Sequence, residues 1–141
     1  MKKAICISVI SAAAIWLAGC ASSTEPGGSN DLTANWSYSA TSVVTSNTTA
    51  GTAALTQSGS NVTGTLTCTS NPAGCPPAAS VTGTVSGAIV TLTISYTCGG
   101  TPYPLTATGT IASPGTTMSG TYNQPAAGSC AADAGNWSAT D

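Results

Sequence analysis

From Asn35 onward, apolar and small residues alternate with hydroxyl residues at a period of two. Val62-Thr63-Gly64-Thr65-Leu66-Thr67-Cys68 puts Val62, Gly64, Leu66 and Cys68 on one face and threonines on the other. Val81-Thr82-Gly83-Thr84-Val85 repeats the arrangement, and Val90, Leu92, Ile94 and Tyr96 share a side of the next stretch. Leu105, Ala107, Gly109 and Ile111 alternate with Thr106, Thr108 and Thr110, and Met118, Gly120 and Tyr122 with Thr117, Ser119 and Thr121. A period of two with one apolar face is the mark of a half-buried antiparallel strand, and β-branched threonine suits its wet side. The pattern predicts strands at Asn35–Val44, Gly51–Gln57, Asn61–Cys68, Ser80–Ser86, Ala88–Thr97, Tyr103–Ala112, Thr116–Tyr122 and Gly135–Thr140. No run with helical spacing interrupts them.

The gaps alternate in length. Ser58-Gly59-Ser60, Ser86-Gly87 and Ser113-Pro114-Gly115 suit tight hairpins, whereas Thr45 to Ala50, Thr69 to Ala79, Cys98 to Pro102 and Asn123 to Ala134 are longer. An all-β, eight-stranded antiparallel up-and-down meander of this kind closes best as a barrel, because closure leaves no exposed edge. Closure makes the first and last strands neighbours, so Trp36 and Trp137 could together seal one end. Inward Gly64, Gly83, Gly109 and Gly120 would permit the bends that closure demands. The alternative architecture is a two-sheet sandwich. The recurring Val-Thr-Gly-Thr, Ala-Thr-Gly-Thr and Met-Ser-Gly-Thr-Tyr segments resemble small bacterial lipoproteins with lipocalin-like or streptavidin-like barrels. Streptavidin-like proteins bind biotin through several tryptophans and a polar set whose equivalents are not recognisable here. The resemblance therefore implies a barrel and no particular ligand.

The N-terminus differs sharply from the rest. Met1-Lys2-Lys3 precedes an apolar run from Ala4 to Trp16, and Leu17-Ala18-Gly19-Cys20 closes it. A short basic start, an apolar core and small residues before a cut are the layout of a secretory signal. Only 16 residues separate Lys3 from Cys20, and they include Ser8, Ser11 and Gly19. A membrane-spanning helix needs about 20 apolar residues. The four residues ending at Cys20 resemble the lipobox of bacterial lipoproteins. That resemblance implies a diacylglycerol on Cys20, cleavage just before it, and a membrane anchor of two or three acyl chains, more than the single chain that binds only marginally. Ala21, where the family places Asp for inner-membrane retention, implies the outer membrane if the host is Gram-negative. The expected organisation is a signal peptide over 1–19, a lipidated N-terminus and flexible tether over 20–34, and a barrel domain over 35–141. An outer-membrane pore is a weaker reading, because the second face of the strands is threonine and serine, not an apolar band.

Charge then narrows the function. Lys2 and Lys3 are the only cations and there is no histidine, so the formal charge of −2 becomes −4 once they are cleaved away. Nucleic acid and anionic headgroups are bound by Lys and Arg, and a mature chain without either has nothing to bind them with. Nor can it form a Ser-His, Cys-His or Ser-Lys pair or a Schiff base. Of its acids, Glu25 and Asp31 lie on the tether and Asp141 ends the chain, leaving Asp133 alone among the long loops. No paired carboxylates, calcium loop, phosphate-binding motif or cofactor site is expected, and an enzyme of unusual type using Asp133 is the remotest alternative.

Cys68, Cys75, Cys98 and Cys130 remain after lipidation of Cys20. An even number in a secreted domain reads as two disulfides, and zinc is disfavoured without histidine or a Cys-x-x-Cys spacing. Of the three connectivities, Cys68–Cys75 with Cys98–Cys130 is favoured. In a meander the long loops share one end, so every one of these cysteines sits on the end opposite the short turns and the tether. That stapled end is the expected interaction surface. Tyr96, Tyr103, Tyr122, Asn123, Gln124 and Asp133 fall near it and are the candidate ligand contacts. The expected function is a lipid-anchored envelope module that binds or supports. A lipocalin-like carrier of a small hydrophobic ligand is the first alternative, and glycans and envelope proteins are other possible partners.

Overall fold

The alternation folds as a closed wall. The computed structural model describes residues 30–70 and 78–141. Within them the strands are β1 (Ala34–Ser42), β2 (Thr48–Ser58), β3 (Asn61–Ser70), β4 (Ala79–Ser86), β5 (Ile89–Ser95), β6 (Thr97–Cys98), β7 (Thr101–Pro102), β8 (Leu105–Ala112), β9 (Thr117–Gln124) and β10 (Asp133–Thr140). Eight of them form an antiparallel barrel in the order β1-β10-β9-β8-β5-β4-β3-β2, closed by the β1–β2 pairing. Each strand therefore pairs with its neighbours along the chain, which is the meander expected. The rival sandwich is absent.

Two strand ends depart from expectation. β1 stops at Ser42 instead of Val44, where the Ser42 hydroxyl accepts the Val44 and Thr45 amides and turns the chain. The long strand expected over Ala88–Thr97 breaks after Ser95, and Tyr103 precedes β8 rather than opening it. Between them β6 and β7 form a small hairpin of their own, with the Tyr103 amide donating to the Tyr96 carbonyl at 2.8 Å.

Inward positions alternate between large side chains and glycine or alanine. Tyr38 pairs with Gly51, Leu55 with Gly64, Leu92 with Gly83, and Trp137 with Gly120. The reason is space. A Cβ on Gly109 would lie 2.4 Å from the Ser119 carbonyl oxygen and 2.7 Å from the Trp137 ring, so the wall coils too tightly there for any side chain. Gly51 is likewise covered by the Tyr38 ring and the Thr67 carbonyl.

The largest fully buried side chains gather at the end with the short turns. Leu32, Trp36, Val62 and Val90 are almost wholly buried there, with Val85, Ile111 and Met118 beside them. Leu32 was expected on the flexible tether, yet it is 0% exposed and closes the barrel floor. Its amide donates to Gln57 Oε1 at 3.0 Å, and its carbonyl accepts Trp36 Nε1 at 3.0 Å. Asn30 Nδ2 reaches the Gly87 carbonyl across the same end, so Asn30 too is held to the barrel. Trp36 seals this floor without Trp137, which stands opposite Ala40, four residues further along β1 and about 13 Å away in strand rise.

Candidate functional site

Above Trp36 the barrel is hollow. A cavity of about 460 Å³ runs from Trp36, Leu55, Met118 and Ala139 at its base to Thr49, Thr97, Gln124 and Asp133 at the long-loop end. Several inward residues of this upper half (Tyr38, Ala40, Leu66, Tyr96, Leu105 and Trp137) are only partly buried although they point to the barrel axis. Inward side chains that keep solvent exposure define a lumen open at its mouth. Its size falls within the ~300–1,000 Å³ usual for small-molecule pockets.

The wall is chiefly apolar and aromatic. Leu92, Ile94, Leu105 and Ala107 form one side, while Tyr38, Tyr96, Tyr103, Tyr122 and Trp137 supply rings. Burial pushes the Tyr38 phenol up to about 12, helped by the nearby Tyr96, and burial also raises Tyr96. Burial, then the hydrogen bond to Asp133 and its charge, raise Tyr122 to about 12. Tyr103 is raised by burial and then by Asp133. All four phenols are therefore neutral donors at physiological pH. The Tyr38 hydroxyl is shut away from water and makes no hydrogen bond among the described residues.

Asp133 organises the mouth. Its Oδ1 accepts the Ser42 hydroxyl at 2.6 Å and the Ala134 amide at 2.8 Å, and its Oδ2 accepts the Tyr122 hydroxyl at 2.9 Å. One carboxylate thus ties together β1, β9 and β10. On the other side of the rim, Cys98 and Cys130 form a disulfide with Cα atoms 6.2 Å apart, as favoured from the sequence. The Tyr103 hydroxyl donates to the Ala131 carbonyl, and Gln124 Nε2 donates to the Tyr103 carbonyl at 2.9 Å. These bonds hold the β6–β7 hairpin against the loop before β10, so much of the rim is fixed in shape. Cys68 is also disulfide-bonded. Cys75, its expected partner, lies outside the described residues, as do Cys20 and the 1–19 segment.

Protein-family models, curated proteins and solved structures offer no match to this chain. Function has to be argued from the cavity itself.

Five of the six expected contacts meet in it. Tyr96, Tyr103, Tyr122, Gln124 and Asp133 line the lumen. Asn123 does not. Tyr122 and Gln124 are buried inward, so the period of two turns Asn123 outward to solvent. Tyr38 was overlooked, although the alternation Trp36-Ser37-Tyr38 already places it on the inward face with Trp36. Trp137, read as a core plug, lines the lumen and donates its Nε1 proton to the Thr121 carbonyl at 3.1 Å. Among the described residues no group of three or more His, Cys, Asp or Glu is placed to hold a metal ion.

Proposed function

We propose that this chain is a lipid-anchored cell-envelope protein whose barrel binds a small apolar molecule, in the manner of a lipocalin-like carrier. The observation that carries the reading is the open, aromatic-lined lumen of about 460 Å³ above a packed floor. A barrel needed only as a support would gain by filling that space, since each buried CH₂ contributes about 0.8 kcal/mol. The rim, braced by the Cys98–Cys130 bond and the Asp133 network, keeps the site preformed, and a preformed site binds with less loss of entropy. Binding, not catalysis, is the role that one carboxylate and a set of neutral phenols suit.

Orientation supports the same reading. The chain enters at the floor, where Asn30 and Leu32 lie, and the mouth is at the opposite end. An acyl anchor on Cys20 would hold the floor toward the membrane and the mouth away from it, facing the periplasm or the outside. The lipobox resemblance supports the anchor, and Ala21 supports the outer membrane in a Gram-negative host. The outward faces of threonine and serine suit water and not a lipid band. A second reading, docking of an envelope protein at the loops, is favoured by Val43 and Val44, which are 66% and 65% exposed at the β1–β2 turn.

Native mass spectrometry of the mature chain, carrying Cys20→Ser and purified without detergent from periplasm, tests the carrier reading. A co-purifying small molecule, displaced by Ala40→Leu in the hollow half, is the expected result. An empty protein that takes up no apolar probe would refute it and turn the search to the loops.

A further inference from the structure

The reading of the lumen as a binding site leaves the chemistry of its occupant open, and the distribution of charge decides it. Among the described residues, Asp133 is the one charged side chain in the lumen wall. No cationic side chain follows Lys3 anywhere in the chain, so nothing neutralises it from within. Its three hydrogen bonds come from two neutral hydroxyls and a backbone amide. A carboxylate so held keeps a fixed position at the mouth while its charge stays uncompensated.

The surfaces around it supply no opposing cation. Tyr38, Tyr96, Tyr103, Tyr122 and Trp137 line the lumen, and a ring that turns its face to a ligand offers the negative end of its quadrupole. Cations within about 6 Å of such faces are attracted, most strongly by Trp. An apolar wall of low dielectric lengthens the reach of both effects. A fatty-acid carboxylate entering this lumen would meet a charge of its own sign and no Lys, Arg or His.

We propose that the lumen is selective for lipophilic cations: an apolar body seated between Trp36 and Leu105, with an amine or quaternary ammonium group at the mouth beside Asp133. Neutral apolar molecules bind by the same wall but more weakly, and lipophilic anions are excluded. The preference rests on the carrier reading, and it assigns Asp133 a role in recognition beyond bracing the β1–β2 turn.

Three probes with the same ten-carbon chain separate the terms: decyltrimethylammonium, decanol and decanoate, titrated below their aggregation limits. The mature chain carrying Cys20→Ser is used, with Trp137 fluorescence and calorimetry as readouts. The ammonium probe is expected to bind about tenfold or more tighter than the alcohol, in line with a charge pair at the edge of water, and decanoate weakest. Asp133→Asn keeps acceptors for Ser42 and Ala134, and it is expected to close the gap between ammonium and alcohol while leaving alcohol binding in place. Because Asp133 also braces the rim, salt provides a second readout: the gap in the unsubstituted chain should shrink between low and high ionic strength. Equal binding of ammonium and alcohol, or a gap that survives both Asp133→Asn and salt, overturns the cation preference and leaves the carrier reading intact. Binding of none of the three overturns both.

Discussion

Tyr38→Phe removes a hydroxyl that is closed off from water and unpaired among the described residues. Most tyrosine truncations in a small barrel cost stability, because the hydroxyl is bonded. Here the sign reverses. Burying a polar group without a partner costs about 1–3 kcal/mol, and replacing it by an apolar group of the same shape recovers that cost. The space vacated by one oxygen, on the order of 10 Å³, gives back only a few tenths of a kcal/mol at ~24 cal/mol per Å³. The net expectation is a gain of about 1 kcal/mol or more in the ligand-free protein. For a domain near 100 residues each kcal/mol moves the melting midpoint by about 4–8 °C.

The assay is thermal and urea unfolding of the detergent-free mature chain, with Tyr122→Phe as its counterpart. Tyr122 donates to the Asp133 carboxylate, so its truncation should lower stability by roughly 1.5–3 kcal/mol, the worth of a hydrogen bond to a charged group. The two substitutions remove the same atom from the same lumen and should move the midpoint in opposite directions, with unchanged urea slopes. A fall for Tyr38→Phe matching that for Tyr122→Phe would refute the reasoning, for it would mean that the Tyr38 hydroxyl is bonded in solution.

Three further outcomes can be checked. Replacing both Cys98 and Cys130 by Ser reopens a loop of sequence separation 32, and chain-entropy reasoning puts the loss at about 3–4 kcal/mol by urea denaturation; a loss below 1 kcal/mol would mean the rim is held without the bond. Gly109→Ala forces a Cβ to within 2.4 Å of the Ser119 carbonyl and should destabilise by about 1–3 kcal/mol or prevent folding, whereas Ala at the exposed, outward Thr108 should move the midpoint little. Because burial pushes Tyr38 and Tyr122 up to about 12 from about 10 when unfolded, the folded state binds more protons between those values; their contribution to stability should be level below pH 10 and fall from pH 10 to 12, and a rise over that window in a pH series would contradict the burial of both phenols.

Much of this architecture was readable because threonine marks the wet face of nearly every strand. Val62 to Cys68 and Leu105 to Ile111 alternate so regularly that the inward face follows from the residues alone. The ends of the barrel followed from counting: long and short connections alternate in a meander, and with them the positions of Cys98, Cys130 and Asp133. Leu32 was missed because a single leucine among polar residues has no period to betray it, and only the Gln57 and Trp36 hydrogen bonds show why it is held. Asn123 was misplaced by proximity in sequence, where the parity of Tyr122 and Gln124 was the better guide. Whether the barrel was full or hollow could not be read at all. That depends on barrel radius and on which large residues share a level, and neither is a property of any one strand.

The hollow itself has a structural cause that joins fold to function. A small barrel with an inward side chain at every level would fill, and here it does so at the level of Val62, Val85, Val90 and Ile111, against Leu32 and Trp36. Inward glycines run through the wall, and large residues lie across several of them. The Tyr38 ring covers Gly51, the Tyr122 ring covers Gly135 and the Trp137 ring covers Gly109. Each ring thereby lies close along the wall while lining the lumen. The same glycines that let the sheet coil tightly enough to close also leave room along the wall for the aromatics that line the site. Enlarging any one of them should therefore do more than strain the wall: it should push a ring inward and fill the cavity. A tolerated variant at Gly51 or Gly135 that keeps its fold is expected to lose apolar probes in proportion to the volume it displaces. Full binding with a relocated ring would show instead that the lumen does not depend on these pairs.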